Sequence, residues 1–168
     1  MVTKVFLSGL AVLALACTPS GKAMSNDKAD EMRIRQIVDE WVGAFRDGNV
    51  DRVLTLHAPG IVSFDIVPPL RYVGREAYRK PWDAVFSTFE RPIAMEIQDL
   101  TITVRDGIAF SHSLNRMVGT AKSGQKSDYW FRWTACYEKI DGQWLIVHDH
   151  SSAPTDFASG KASLELKP

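Results

Sequence analysis

The sequence predicts an α+β domain in which three helices come first and pack on a strongly curved antiparallel sheet. Three observations support this fold class. Apolar residues in the first half of the chain recur at helical spacing, whereas from Ile93 onward they alternate with a period of two. Two turn-forming pairs, Asp106-Gly107 and Asp141-Gly142, divide that second half into long strands. Long strands twist, so the sheet is expected to curve around the helices.

The helices are predicted from apolar residues that recur every three or four positions. The first helix carries one apolar face, formed by Ile34, Ile37, Val38, Trp41 and Phe45. Gly48 ends this helix, and a short second helix is predicted over residues 50–57. A third helix is predicted over residues 74–89, where Pro81 should kink or divide it because proline removes a backbone donor.

The strands are predicted as a short hairpin followed by a four-strand antiparallel meander. The hairpin pairs residues 61–65 with residues 70–73 across the Pro68-Pro69 turn. Turn-forming residues delimit the meander strands, which cover residues 93–105, 108–121, 126–140 and 143–152. The polar residues after Pro154 predict an irregular tail.

The composition of the chain limits the classes of function. Its 168 residues suffice for one domain of ordinary size. Basic and acidic residues both number 20, so no nucleic-acid partner is predicted, because affinity for phosphates depends on excess positive charge. Two cysteines, Cys17 and Cys136, cannot build a disulfide framework, and Cys136 is predicted to be a buried, inert thiol.

The N-terminal residues predict a processing segment. Residues 5–16 are uncharged and mostly apolar, but too few to span a bilayer, so they fit the apolar region of a secretory signal. Residues 13–17 resemble a relaxed bacterial lipobox, and residues 18–30 have the composition of a linker. Lipidation of Cys17 would give an exported lipoprotein whose only membrane contact is its lipid anchor.

Two other origins of the mature chain remain open. Cleavage after Ala16 without lipidation would give a soluble exported protein, and a start at Met24 would give a cytoplasmic one. The predicted division of the chain is a signal and linker at residues 1–27, one domain at residues 28–157, and a polar tail at residues 158–168.

Strand alternation gathers candidate functional side chains on one face of the sheet. Trp130, Arg132 and Thr134 share a face of one strand, and His148 and His150 share the matching face of the next. A buried arginine needs an anionic partner and histidine titrates near neutral pH, so this group could perform acid–base chemistry. A structural ion pair for Arg132 and a solvated rim position for the histidines remain alternatives.

The pair His148-x-His150 could also be half of a metal site. Two imidazoles two positions apart on a strand point the same way, but zinc or iron would require a further ligand, for example His112 or Asp65. No HExxH motif or cysteine cluster accompanies the pair, so neither a metal nor another cofactor is predicted.

The run Tyr129-Trp130-Phe131-x-Trp133 places large aromatic rings on both faces of its strand. One face is expected to pack on the helices and the other on a second copy of the chain, which predicts a homodimer through the sheet. The alternative is that the C-terminal tail covers the outer face.

The order of these elements resembles the NTF2-like superfamily, and more narrowly its SnoaL-like and ketosteroid-isomerase-like members. The segments that carry the resemblance are residues 37–48, 62–65, 72–77 and 139–144, together with Arg132-x-Thr134 and His148-Asp149-His150. The resemblance implies a cone-shaped, cystatin-like α+β roll. It implies an activity less strongly, because the superfamily contains isomerases, dehydratases, cyclases and non-catalytic binding proteins.

The resemblance also implies one acidic side chain inside the cone. The intervals between a tyrosine, a glycine, the general-base aspartate and a second glycine in steroid isomerases fall here on Trp41, Gly48, Asp65 and Gly74. Asp65 is the implied base, unless it only caps the Pro68-Pro69 turn. Trp41 replaces the oxyanion-hole tyrosine and Thr134 the second donor, so steroid isomerisation itself is not expected.

Two functions follow as hypotheses. The first is an isomerase, dehydratase or cyclase acting on a small apolar carbonyl or hydroxyl compound, with Asp65 as base and His148 or His112 as its proton partner. Arg132 would offset developing negative charge. The residues expected to contact the substrate are Trp41, Phe64, Trp82, Phe86, Phe89, Trp130, Thr134 and His150. The second hypothesis is a non-catalytic module that binds an apolar ligand or a peptide at the cell envelope.

Overall fold

Three helices and a six-stranded sheet form the body of the domain in this computed structural model, which describes residues 21–168. The helices are α1 (Gly21–Asp47), α2 (Val50–Thr55) and α3 (Arg75–Thr88). The six strands are β1 (His57–Phe64), β2 (Tyr72–Val73), β3 (Ala94–Arg105), β4 (Ile108–Thr120), β5 (Lys126–Ile140) and β6 (Gln143–Ser152). None of the described helices is long and apolar enough to cross a membrane.

The predicted apolar face of α1 is confirmed. The residues that form it, Ile34, Ile37, Val38, Trp41 and Phe45, are all buried. Gly48 has a φ of +61°, a conformation that glycine adopts at low steric cost, and it ends the helix. Asn49 then caps α2 by accepting a hydrogen bond from the backbone N–H of Arg52 at 3.0 Å. α3 continues through Pro81 as one helix, so the predicted division does not occur.

The sheet is mixed, whereas the sequence predicted an antiparallel one. Its strand order is β2-β1-β6-β5-β4-β3, and β3 to β6 form the predicted antiparallel meander. β1 and β6 run parallel, with Ser63 opposite Asp149. The reason is that the segment containing α3 carries the chain from the β1–β2 edge to the far edge of the sheet, from which the meander returns to β1.

Both ends of the described chain differ from the sequence interpretation. α1 already begins at Gly21, inside the segment 18–30 that was predicted to be a linker. Asp30 fixes this part of the helix to the sheet, because its Oδ1 atom accepts hydrogen bonds from Lys139 Nζ at 2.7 Å and Trp144 Nε1 at 2.8 Å. The tail contains a small hairpin of β7 (Thr155–Asp156) and β8 (Lys161–Ala162) where irregular structure was predicted.

The predicted signal segment and Cys17 lie outside the described residues. Export and lipidation of the chain therefore stay predictions.

Candidate active site

A cavity of about 100 Å³ lies between α1, α3 and the concave face of the sheet. Its walls are mostly apolar. α1 contributes Trp41 and Phe45, α3 contributes Trp82, and the sheet contributes Met117 and Trp133. Apolar cavities of roughly this size bind single-ring compounds such as benzene, so the cavity suits a small ligand.

Aromatic packing fixes the shape of the cavity. The rings of Trp41 and Trp133 stack with centroids 5.1 Å apart, and the edge of Trp82 meets Trp41 at 6.0 Å. The structure therefore places Trp41 and Trp82 in the wall, as the sequence predicted. Their indole N–H groups are buried and have no acceptor among the described residues. The tryptophans thus offer ring surface to a ligand, and their N–H groups do not face the open space.

Asp65 is the only carboxylate among the described residues that line the cavity. It follows β1 directly and is half-buried. Burial raises its pKa above the ordinary 3.8, the backbone N–H groups of Ile66 and Val67 partly offset this, and the charge of Asp149 raises the pKa further. Asp65 Oδ1 also accepts a hydrogen bond from the Val67 backbone at 3.4 Å. Asp65 thus lines the cavity and also holds the turn; its role as a base stays a prediction.

Arg132, Thr134 and His112 lie on the opposite, convex face of the sheet. Trp133 is buried and faces the cavity, so its neighbours Arg132 and Thr134 point the other way and are exposed. His112 pairs with Thr134 across β4 and β5 and shares that exposed face. The prediction that Arg132 and His112 act beside Asp65, and that Thr134 contacts the substrate there, is therefore wrong. These side chains do share a face, but it is the face away from the helices.

A bulge in β6 moves both histidines to the convex face as well. Val147 is the extra residue between two consecutive pairs of the β5–β6 ladder. Before the bulge Ile146 is fully buried, and after it Asp149 is 2% exposed, so both face the concave side. Uninterrupted alternation would have placed His148 and His150 there. Because of the bulge, every later residue of β6 lies on the face opposite to the one that alternation predicts.

His148 and His150 pack against Phe64 on the convex face. The Phe64 ring lies 4.9 Å from the ring of His148 and 5.8 Å from that of His150. His148 Nδ1 donates a hydrogen bond to the carbonyl oxygen of Val62 at 2.7 Å. The predictions of His148 as the proton partner of Asp65, and of Phe64 and His150 as cavity residues, are therefore wrong. These side chains tie β1 to β6 on the outside of the sheet.

Three further residues predicted to line the cone lie elsewhere. Phe86 is buried beside the cavity, with its ring centroid 5.6 Å from that of Phe45, but it does not line the open space. Phe89 follows α3 and lines a shallow outer groove. Trp130 lies in another groove, beside Leu166 of the C-terminal tail. These three residues therefore lie outside the lining of the cavity.

The C-terminal tail covers only part of the convex face. Its last residues form a groove with Trp130 and Arg132. Elsewhere on β4, Ile108 and Phe110 remain 61% and 46% exposed. The convex face thus retains apolar surface that a second copy of the chain could cover, and the homodimer stays a prediction.

Four polar residues near the cavity were not selected from the sequence. Tyr78 and Tyr129 line the cavity. Asp149 Oδ2 accepts a hydrogen bond from the Tyr78 hydroxyl at 2.7 Å, and His57 Nε2 lies 3.7 Å from the same oxygen. The position of Tyr78 one helical turn before Trp82 could have indicated its place in the wall. Asp149 could not be placed without knowledge of the bulge.

Comparison with known proteins identifies the family. Residues 34–156 match the family model of the SnoaL-like domain. The chain belongs to the SnoaL-like domain family. A search among curated proteins gave no match. The resemblance of the sequence to SnoaL-like, NTF2-like proteins is therefore confirmed.

Solved structures place this SnoaL-like domain among NTF2-like folds. An NTF2-like protein of unknown function from Pseudomonas putida KT2440 is 32% identical, with a TM-score of 0.77 over 84% of this chain and 98% of that one. A candidate calcium/calmodulin dependent protein kinase II association domain from Xanthomonas campestris is 30% identical, with a TM-score of 0.64 over 72% and 85%. A candidate dehydratase of the NTF2-like family from Streptomyces avermitilis is 12% identical, with a TM-score of 0.66 over 75% and 97%, a likeness of fold alone.

The cavity of the SnoaL-like domain combines one carboxylate with phenols in an apolar surrounding. Burial raises the pKa of Tyr129, and the negative charge of Asp65 raises it further. Burial and the charge of Asp149 raise the pKa of Tyr78 well above its ordinary value of 10.0. Both phenols are therefore protonated at neutral pH and can form hydrogen bonds without acting as bases. Within residues 21–168, no three His, Cys, Asp or Glu side chains are grouped to hold a metal ion.

Proposed function

We propose that this SnoaL-like domain catalyses proton transfer on a small apolar carbonyl or hydroxyl compound bound in the cavity, as an isomerase or a lyase does. The observation that carries the proposal is the position of Asp65, a half-buried carboxylate in the wall of an apolar cavity. Burial removes water from a carboxylate and makes it a stronger base than an exposed aspartate, which suits it to general base catalysis.

In this proposal Asp65 removes a proton from the carbon beside a carbonyl group and returns it at another position. With a carbonyl compound that carries a hydroxyl group on the β-carbon, the C–O bond to that group then breaks, and the hydroxyl takes the proton back from Asp65 and leaves as water. Tyr129 donates a hydrogen bond to the substrate oxygen on which negative charge develops. Its place in the same cavity supports this role.

The cavity limits which substrates are proposed. A volume of about 100 Å³ accepts a compound of about one ring. Steroid isomerisation is not part of the proposal, because Trp41 stands where the resemblance implies a phenolic donor and its buried N–H does not face the cavity. The predominance of aromatic walls favours an apolar, planar substrate.

A non-catalytic binding module is the second candidate. One observation favours it: among the described residues, no arginine or histidine lines the cavity. A single carboxylate without a cationic partner could simply hold the polar end of a bound ligand. The small volume of the cavity, about 100 Å³, suits a small apolar molecule better than a peptide.

Cyclohexanone separates the two candidates. Its α-proton exchange in D2O is followed by ¹H NMR, and its binding by quenching of tryptophan fluorescence, since three tryptophans line the cavity: Trp41, Trp82 and Trp133. The enzyme proposal expects quenching together with exchange faster than in buffer. Quenching without accelerated exchange supports the binding module. Absence of both contradicts both candidates for this class of compound.

Filling the cavity with a larger side chain should weaken both cyclohexanone binding and α-proton exchange. Met95→Trp adds an indole at a half-buried cavity position, and we expect at least about a tenfold loss of cyclohexanone affinity and of exchange rate. Met32→Trp, at a position that is 56% exposed on α1, is the control and should behave as the wild type. Unchanged binding in the Met95 variant would show that cyclohexanone binds elsewhere.

A further inference from the structure

A chain of buried polar groups continues inward from the cavity wall. Tyr78 lines the cavity, and its hydroxyl donates a hydrogen bond to Asp149 Oδ2 at 2.7 Å. His57 Nε2 lies 3.7 Å from that oxygen, and His57 Nδ1 donates to the carbonyl oxygen of Val53 at 2.8 Å. His57 and Asp149 are 0% and 2% exposed. The proposed function assigns proton transfer to Asp65 and gives these groups no direct part in it.

Strand register places Asp149 on the same side of the sheet as Asp65. Ser63 pairs with Asp149 in the parallel ladder of β1 and β6, and both side chains are buried on the concave side. Asp65 lies two residues beyond Ser63 and therefore faces the same side. The domain thus brings two carboxylates to one side of the sheet, Asp65 in the cavity wall and Asp149 opposite the residue two positions before it.

Two polar groups lie close to the Oδ2 atom of Asp149. The Tyr78 hydroxyl donates a hydrogen bond to this atom at 2.7 Å, and His57 Nε2 lies 3.7 Å from it. A carboxylate buried without such partners would be strongly destabilised.

We propose that Asp149, which accepts the Tyr78 hydrogen bond beside His57, is a positioning residue that orients Tyr78 in the cavity wall and sets the charge behind Asp65. The inference rests on the proposed function, because Asp65 is the base in question. The negative charge of Asp149 opposes ionisation of Asp65, and the pKa of Asp65 is raised in part by that charge. Asp149 thereby makes Asp65 a stronger base without entering the cavity.

The other groups that face the two carboxylates are phenols or imidazole. For Asp149 they are His57 from β1, Tyr78 from α3 and Tyr137 from β5. For Asp65 they are Tyr72 from β2, Tyr78 from α3 and Tyr129 from β5. Phenols remain neutral at the pH where Asp65 titrates, so Asp149 is the anionic neighbour to remove.

The test is the titration of Asp65 by ¹³C NMR of the side-chain carboxyl groups, which requires no turnover. Asp149→Asn removes the charge and keeps the size of the side chain, and we expect the Asp65 midpoint to fall by about one pH unit. Ser111→Ala is the control, because it removes a buried hydroxyl that bonds Tyr137 at 3.0 Å and leaves Asp149 charged. An Asp65 midpoint unchanged in Asp149→Asn would overturn the inference.

A double variant covers the case in which Asp149→Asn does not fold. Tyr78→Phe with Asp149→Leu replaces both partners of the 2.7 Å hydrogen bond by apolar groups. This costs less stability than removing one partner and leaving the other buried without a hydrogen bond. The same fall of the Asp65 midpoint is expected, and an unchanged midpoint contradicts the inference. Because the titration does not depend on catalysis, a chain that catalyses nothing but shows the shift refutes only the proposed function.

Discussion

Replacing Asp65 by asparagine is expected to lower the rate of cyclohexanone α-proton exchange by about 100-fold or more, which is the usual contribution of a general base. The physical reason is that Asp65 is the only carboxylate among the described residues that line the cavity. Asparagine keeps the shape of the side chain but cannot accept a proton at neutral pH. The ratio of the initial exchange rates of variant and wild type, measured by ¹H NMR, gives the effect.

The control for this experiment is Asp83→Asn, an exposed carboxylate on α3. It should leave the exchange rate unchanged, because it removes one negative charge outside the cavity. Tryptophan quenching should show that the Asp65→Asn variant still binds cyclohexanone. An exchange rate close to that of the wild type in this variant would exclude Asp65 as the base.

Truncation of Trp133 to alanine is expected to destabilise the domain by about 3–5 kcal/mol, the range for loss of a large aromatic side chain from a core. Trp133 is 2% exposed and stacks on Trp41 with ring centroids 5.1 Å apart. Its removal would enlarge the cavity and remove the ring that stacks on Trp41 from the sheet side. Urea unfolding followed by circular dichroism measures the free energy of unfolding.

Phe157→Ala serves as the control for stability, since Phe157 is 97% exposed. Removal of an exposed side chain usually changes the free energy of unfolding by no more than about 0.5 kcal/mol. If both variants lose equally little stability, the stacked tryptophans do not hold the concave face to α1, and the proposed shape of the cavity is wrong.

The parts of the fold that sequence could predict are those with local patterns. The apolar stripe from Ile34 to Phe45 specifies a helix face, and Asp106-Gly107 and Asp141-Gly142 specify the turns between long strands. The position of Asp65 came from the resemblance to steroid isomerases, and the structure places it in the cavity wall. The parallel pairing of β1 with β6 was missed because it depends on where α3 carries the chain.

The composition of the site could be predicted less well, for two physical reasons. Aromatic residues occupy both faces of β5 around Trp133, so alternation alone could not show which face meets the helices. The single extra residue Val147 in β6 then reverses the faces of His148 and Asp149. A bulge of this kind is a property of the ladder, and the sequence of β6 contains no glycine or proline that would indicate it.

The pH dependence of α-proton exchange tests the central claim most directly. Asp65 must be ionised to act as a base, and burial raises its pKa above 3.8, so the rate should rise with pH around a midpoint above that value. We expect this midpoint to coincide with the Asp65 titration observed by ¹³C NMR in the same protein. A rate midpoint that differs from the Asp65 titration, or a rate independent of pH across it, would contradict the assignment of Asp65 as the base.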